Sequence, residues 1–134
     1  MINIVAQDNQ LAFAKVDTIT WFVSFCTNYL SAEKICKIYL LGSRASGHSS
    51  KGGGVRENSD HDFYVVLIDD CSEELHTGGS EWSTFYSKMN AERLAKNIGA
   101  IDAFVIRATA FQQSAQDPNS AAAKALNGVL IASD

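Results

Sequence analysis

The sequence predicts an α/β or α+β fold in which a small mixed β-sheet is covered by helices. Short runs rich in β-branched and aromatic residues alternate with segments whose apolar residues recur at helical spacing, as expected for strands interleaved with helices. The chain has 134 residues, of which 46% are hydrophobic and 19% are charged, and this size supports one hydrophobic core. We therefore expect a single domain that spans residues 1–134.

The first half of the chain predicts one long helix followed by two strands. Apolar residues recur every three or four positions over residues 8–30, which indicates a long N-terminal helix. Residues 37–41 (KIYLL) form a short β-rich run, and residues 61–68 (HDFYVVLI) are typical of a strand covered on both faces. Residues 43–59 lie between them, are rich in glycine and lack periodicity, so we predict a loop there.

The second half predicts one strand and three helices. Apolar side chains recur at helical spacing over residues 81–97, which predicts a helix there. Residues 101–106 (IDAFVI) are typical of a strand, the third in the chain. Two short helices are expected at residues 110–116 and 120–126, separated by an Asp-Pro pair that interrupts helical structure. The predicted order is therefore α-β-β-α-β-α-α.

The charge and the cysteine content limit the classes of partner and the cellular compartment that we expect for this protein. The net charge is −4 and the sequence pI is about 5.3, so the chain lacks the broad basic field that binds extended nucleic acid. Cys26, Cys36 and Cys71 are odd in number and form no CxxC pair, which favours reduced, partly buried thiols. No basic residue precedes Lys15 and no apolar run is long enough to span a bilayer. We expect a cytoplasmic protein without a membrane segment.

The first predicted strand ends at Gly42-Ser43. A glycine at this position permits a tight turn and close approach of the backbone to a ligand. If the following residues begin helically, their free N–H groups favour a phosphate. Taken alone, however, a Gly-Ser turn is common in loops and needs no function.

Three aspartates accompany the predicted second and third strands. Asp60 and Asp62 are two positions apart and would share one face of a strand, where aspartate is otherwise depleted. An exposed strand end whose aspartates face water is the alternative explanation. Asp102 begins the third strand, and if the two strands are neighbours then three carboxylates converge. Such a cluster requires a shared proton or a cation and suits Mg²⁺ or Mn²⁺.

Three segments (GSRASG, SDHDFYVVL and IDAFVI) resemble the polymerase-β-like nucleotidyltransferase superfamily. The similarity is greatest to its small single-domain members, the minimal nucleotidyltransferases, which often serve as antitoxins paired with HEPN-domain partners. It extends over residues 37–131 and includes the tail SAAAKALNGVLIA, which resembles the last helix of these proteins. The resemblance implies a nucleotidyltransferase fold.

The resemblance also implies a role for each matching residue. Gly42 and Ser43 would hold the β- and γ-phosphates of a nucleoside triphosphate, with ATP as the expected donor. Asp60 and Asp62 would bind one or two Mg²⁺ (or Mn²⁺) ions. Asp102 would share a metal ion and help to activate the hydroxyl group that accepts the nucleotide.

Arg44 matches the arginine of the family's Gly-Ser-Arg and would either approach the phosphates or brace the loop. Sixteen residues (44–59) precede Asp60, more than in compact members, and the surplus HSSKGGGVRE could form a flexible lid or loosen nucleotide binding. His61 stands where the family has an aliphatic residue, and strand alternation turns it away from the aspartates, so we expect a packed, hydrogen-bonded histidine. Trp82 and Phe85 could flank an adenine, although their helical spacing is more typical of a core.

The resemblance implies transfer of AMP from ATP to a hydroxyl group. The acceptor could be a tyrosine of a partner HEPN toxin, which would make the chain an antitoxin and an enzyme. The alternative is an antitoxin or regulatory subunit with little or no catalysis that binds its partner stoichiometrically. An aminoglycoside-type enzyme subunit is disfavoured because the chain has no room for a substrate domain. Homo-oligomerisation stays open.

Overall fold

The computed structural model describes residues 2–48 and 52–134. The described chain forms one mixed sheet of five strands in the order β1-β5-β2-β3-β4. All neighbouring strands are antiparallel except β3 and β4, which run parallel. This confirms the predicted mixed α+β class. The strands are Asn3–Ile4 (β1), Ile35–Leu41 (β2), His61–Leu67 (β3), Ile101–Arg107 (β4) and Val129–Ser133 (β5).

Helices cover both faces of this sheet. On one face α1 and α3 bury a core in which the rings of Phe22 and Phe63 stack with centroids 4.2 Å apart. On the other face α4 and α5 pack over Tyr39 and Tyr64, with Phe111 stacked on Tyr39. Because β3 contributes to both cores, it is buried along nearly its whole length, as its apolar sequence predicts. The helices are Val16–Leu30 (α1), Ser43–Ser46 (α2), Ser80–Ala95 (α3), Ala108–Ser114 (α4) and Ala121–Leu126 (α5).

The predicted long N-terminal helix is wrong over its first part. Residues Asp8–Leu11 form a short 3₁₀ turn, and the α-helix begins only at Val16. The intervening backbone makes tertiary hydrogen bonds instead of helical ones: the Phe13 carbonyl accepts from Arg44, and the Lys15 N–H donates to His61. Apolar spacing alone does not reveal this competition, because it reports which residues are buried rather than which backbone groups are used.

The C-terminal segment confirms the short helix predicted at residues 120–126 but continues into a strand that was not predicted. The tail that resembles a last helix is helical only to Leu126, and residues Val129–Ser133 form a strand between β1 and β2. Gly128 makes the change of direction possible, because a Cβ atom there would lie 2.2 Å from the Leu40 carbonyl oxygen. A side chain at this position would therefore prevent the strand from approaching β2.

The outer edge of β4 is covered by the chain that precedes it and by α3. The Thr77 N–H donates to the Val105 carbonyl at 2.9 Å, and the Val105 N–H donates to Thr77 Oγ1 at 2.8 Å. The Trp82 indole N–H donates to the Ala103 carbonyl at 3.0 Å. Backbone groups that an edge strand would otherwise present to solvent are thus paired within the molecule.

Two smaller features concern the cysteines and the apolar character of the helices. Cys26, Cys36 and Cys71 are all free, and Cys26 and Cys71 are buried, as expected from their number and spacing. None of the helices in the described ranges combines the length and the apolar character needed to cross a membrane.

Candidate functional site

The strand register brings the turn after β2 and the starts of β3 and β4 together at one end of the sheet. Leu41 is paired with Asp62 across the antiparallel β2–β3 ladder, and Asp62 is paired with Asp102 across the parallel β3–β4 ladder. Residues directly opposite each other on neighbouring strands project to the same face. Asp62 and Asp102 therefore stand side by side next to Gly42, as the spacing of the motifs predicts.

Gly42 is held close to the Asp62 carboxylate. Its φ of +74° lies in the region that favours glycine, and a Cβ atom at this position would be 2.3 Å from Asp62 Oδ2. The amides of Ala45 and Ser46 both donate to the Gly42 carbonyl, so helix α2 begins immediately after the turn. The glycine is thus required twice, once for backbone conformation and once for the space that the carboxylate occupies.

A cavity of about 780 Å³ opens at this end of the sheet. Gly42, Ser43, Asp62 and Asp102 all line it, which places four of the six predicted site residues at one surface. Its volume falls within the range of small-molecule sites in proteins. Further lining comes from the α2 turn, from β4 and from the α5–β5 segment, including Ser46, His48, Phe104, Lys124 and Asn127.

The Asp62 carboxylate, which faces the cavity, lies in an unfavourable electrostatic environment. The pKa of Asp62 is raised to about 6, first by burial and then by the neighbouring negative charges of Asp102 and Asp60. Among the pKa values of the described carboxyl groups that shift clearly, only that of Asp62 moves upward. Uncompensated negative charge of this kind is relieved by protonation or by a cation.

The donor chemistry fits Mg²⁺ or Mn²⁺. Mg²⁺ is commonly held by one or two carboxylates while waters and substrate phosphates complete its octahedral shell. Asp62 and Asp102 supply two such carboxylates, whereas Asp60 is exposed, precedes β3 and acts on Asp62 only through its charge. Within residues 2–48 and 52–134 no three acidic, histidine or cysteine side chains are grouped to hold a metal ion by themselves. The residues present therefore suit a metal ion that arrives with a phosphate ligand.

Tyr86 is a neighbour of Asp102 that the sequence did not reveal. Its hydroxyl group lies 3.3 Å from Asp102 Oδ1 and 3.3 Å from the Ile101 carbonyl oxygen, so it can donate its single proton to either. Burial, followed by the Asp102 carboxylate, raises the pKa of Tyr86. Tyr86 extends from α3 to the β4 edge, and this contact depends on helix packing that no local motif encodes.

Arg44 is buried, and its guanidinium group makes the contacts expected of the loop-bracing alternative. All of its described hydrogen bonds go to main-chain carbonyl groups, and its side chain does not line the cavity. The predicted contact with phosphate stays a prediction, whereas the bracing contacts are present. The accepting carbonyls belong to Phe13, Arg56, Glu57 and Ser59, at distances of 3.0–3.2 Å.

His61 is a packed histidine, as predicted. Only 2% of its surface is exposed, and its Nε2 accepts the Lys15 N–H at 3.0 Å. Burial, followed by the positive charges of Arg44 and Lys15, lowers the pKa of His61 to about 4. Its ring stacks against Phe63 on the sheet face opposite to Asp62. The histidine thus connects the segment before α1 to β3.

Two further expectations concern the loop and the aromatic residues. The surplus loop that could form a lid includes residues 49–51, which lie outside the described residues, so the lid stays a prediction.

Phe85 is fully buried in the core, and Trp82 packs partly buried against β4. Neither residue lines the cavity, so both behave as core residues.

Lys124 lines the cavity and was missed from the sequence. Its position in the chain offered one signal, because it is the only charged residue between Asp117 and Asp134. From the sequence alone, an isolated lysine in an alanine-rich helix is interpreted as a residue that keeps the helix soluble. Only the packing of α5 on the sheet shows that Lys124 lines the cavity.

Comparison of the chain with protein-family models, with curated proteins and with solved structures found no match. The resemblance to the nucleotidyltransferases therefore rests on the three motifs.

Proposed function

We propose that this protein is a metal-dependent nucleotidyltransferase of the polymerase-β-like fold, which transfers AMP from ATP to a hydroxyl group. The observation that supports this most directly is the contact between Gly42 and the Asp62 carboxylate, with Asp102 in register beside it. A cavity bounded by a glycine turn and by two neighbouring carboxylates suits a nucleotide bound with a divalent cation.

Each residue of the site has a separate role in the proposed transfer. The Gly42–Ser43 turn orients the β- and γ-phosphates, with the Ser43 hydroxyl as a donor. Asp62 and Asp102 would hold the cation, and Asp60 adds negative charge close enough to act on Asp62. When bound, Mg²⁺ neutralises charge on the α-phosphate and on the departing pyrophosphate. Alignment of the acceptor hydroxyl with the α-phosphorus lowers the entropic part of the barrier.

In this proposal Asp102 receives the proton of the acceptor hydroxyl. The hydroxyl oxygen forms a bond to the α-phosphorus while the bond from this phosphorus to the pyrophosphate oxygen breaks. Pyrophosphate leaves, and the acceptor becomes an AMP ester. Asp102 is only half-buried and lines an open cavity, so an acceptor carried by another molecule can approach it.

We further propose that the acceptor is a tyrosine hydroxyl on a HEPN-domain toxin, so that the chain acts as an antitoxin in the cytoplasm. The family resemblance and the open cavity support an acceptor supplied by a partner protein. The three free cysteines fit a reducing compartment.

One observation favours the alternative, an antitoxin that binds its partner stoichiometrically with little or no catalysis. Asp60 is exposed, and in the described part of the chain the acidic residues do not make a three-ligand group. A site reduced to two ligands would bind a metal ion more weakly. Under this alternative, neutralisation of the toxin would not require Asp62.

Calorimetric titration of ATP into the purified protein, with and without Mg²⁺, tests the proposal. We expect Mg²⁺-dependent binding in the wild type and in Asp70→Asn, an exposed loop control, and loss of binding in Asp62→Asn. A wild-type protein that binds no ATP would refute the enzymatic function. Toxin neutralisation that is unchanged in Asp62→Asn would then favour the stoichiometric alternative.

A further inference from the structure

The cavity at the Gly42 turn has an uneven distribution of charge. Two carboxylates, Asp62 and Asp102, face it from the strands, and they would repel a polyphosphate unless a cation intervenes. Of the described residues that line this cavity, Lys124 is the single lysine or arginine. A nucleoside triphosphate carries about four negative charges, more than one divalent cation neutralises, and it would therefore need a further positive group.

Lys124 is placed on the helix that borders the cavity. It lies in the second half of α5, and the residues three positions before and after it, Ala121 and Asn127, line the same cavity. Residues at this spacing share one face of a helix. The cavity-facing side of α5 therefore carries Lys124 at its middle.

The ammonium group of Lys124 is not engaged by a carboxylate in the described part of the chain. The ion pairs found there join Lys15 to Glu57 and Lys88 to Glu92. The side chain of Lys124 is exposed, and its backbone N–H donates to the Ser120 carbonyl as part of the helix. A free ammonium group at the wall of an acidic cavity is available for an anionic ligand.

We infer that Lys124 binds the terminal phosphates of the nucleotide, and this inference rests on the proposed nucleotidyl transfer. The α-phosphorus has to lie at Asp62 and Asp102, where the acceptor is activated. Pyrophosphate then leaves on the side away from the acceptor, where the negative charge of the leaving group develops. Lys124 supplies the positive charge that the strand carboxylates cannot provide there.

This assignment makes Lys124 a determinant of substrate class. A nucleoside triphosphate or free pyrophosphate would contact it, whereas AMP lacks the phosphates that reach it. Loss of one charge-assisted hydrogen bond in a partly exposed site lowers affinity by about tenfold. The affinity for AMP should change by less than about twofold, since no contact is lost.

The test is calorimetric titration of ATP, pyrophosphate and AMP, each with Mg²⁺, into wild type, Lys124→Met and Lys124→Arg. Methionine keeps the apolar stem and removes the charge. Lys96→Met, at an exposed position after α3, controls for the change in net charge. We expect Lys124→Met to lose about tenfold in affinity for ATP and pyrophosphate. Lys124→Arg should keep most of that affinity, and AMP should bind equally to all variants.

The outcomes separate the inference from the function on which it rests. Wild-type binding of ATP that is unchanged in Lys124→Met would overturn the inference and leave the nucleotidyltransferase proposal intact. Equal losses for ATP and AMP would also overturn it, because the lysine would then act on the nucleoside or on the shape of the site. A wild type that binds neither ATP nor pyrophosphate would refute the proposed function and the inference together.

Discussion

Replacing Asp62 by asparagine should stabilise the protein in the absence of ligands. Asparagine has nearly the same shape as aspartate but carries no charge, so the contact with Gly42 is kept while the repulsion from Asp102 and Asp60 disappears. The wild-type carboxylate must ionise in a place where burial and two neighbouring negative charges oppose ionisation. The ionised Asp62 therefore lowers the free energy of unfolding, and such a loss of stability is common for functional residues.

The size of this effect follows from the pKa of Asp62, which is raised from 3.8 to about 6. Since a tenfold change in acidity corresponds to about 1.4 kcal/mol, full ionisation disfavours the folded state by about 3 kcal/mol. The carboxylate is partly open to the cavity, and solvent screening reduces the expected gain in Asp62→Asn to about 1–2 kcal/mol. Because the pKa is raised on folding, the protonated group favours the folded state at low pH, and this contribution is lost as the pH rises through about 6.

Urea unfolding in metal-free buffer, followed by the fluorescence of Trp21 and Trp82, measures the effect. We expect Asp62→Asn to exceed the wild type in free energy of unfolding at about pH 8, with a smaller difference at about pH 5. Asp70→Asn, at an exposed loop position, should match the wild type at both values. An Asp62→Asn protein that is no more stable than wild type at the higher pH would refute the electrostatic reasoning.

Mg²⁺ should reverse this order of stability. A cation that binds only the folded wild type stabilises it by mass action, by about 2.7 kcal/mol at roughly hundredfold excess over its dissociation constant, which exceeds the expected gain of Asp62→Asn. Asp62→Asn should gain little. Equal gains in both proteins would place the ion elsewhere and contradict the assignment of Asp62 as a ligand.

Three other perturbations test the parts of the site. Gly42→Ala should destabilise the protein by more than about 2 kcal/mol in urea unfolding, because it strains the backbone and meets the Asp62 carboxylate. Gly99→Ala, which meets no atom within 4 Å, should not. Arg44→Lys should cost about 2–4 kcal/mol in the same assay, because an ammonium group cannot serve four carbonyls, and a neutral result would remove the bracing role. The ring of His61 should stay neutral in NMR spectra to about pH 5. Its contribution to stability is full above pH 6.5 and is lost as the pH falls through about 4, so protonation at pH 6 would contradict its burial.

The part of the site that lies on strands could be predicted from the sequence. Asp62 and Asp102 begin apolar strands, and neighbouring strands bring such residues together in register. Gly42 follows the third participating strand, so the convergence follows once these three strands are neighbours in the sheet, as the structure shows. Local patterns are sufficient there because strand alternation fixes the direction of each side chain.

The contributions of the helices and of tertiary hydrogen bonds to the site could not be predicted from the sequence. Lys124 and Tyr86 come to the site through the packing of α5 and α3, and no motif sets that packing. The N-terminal helix was predicted too long because the carbonyl of Phe13 and the N–H of Lys15 bind side chains distant in sequence. The last strand was missed because a short apolar run after a helix fits either type of element.

The covered edge of β4 limits how copies of this protein can join. With that edge paired internally, main-chain pairing between molecules is left to the short strand β1, whose Ile4 is exposed at the other end of the sheet. Because the described residues 2–48 and 52–134 offer one such end, two copies that pair there leave none for a third. Sheet extension therefore stops at a closed pair and cannot grow into a fibre.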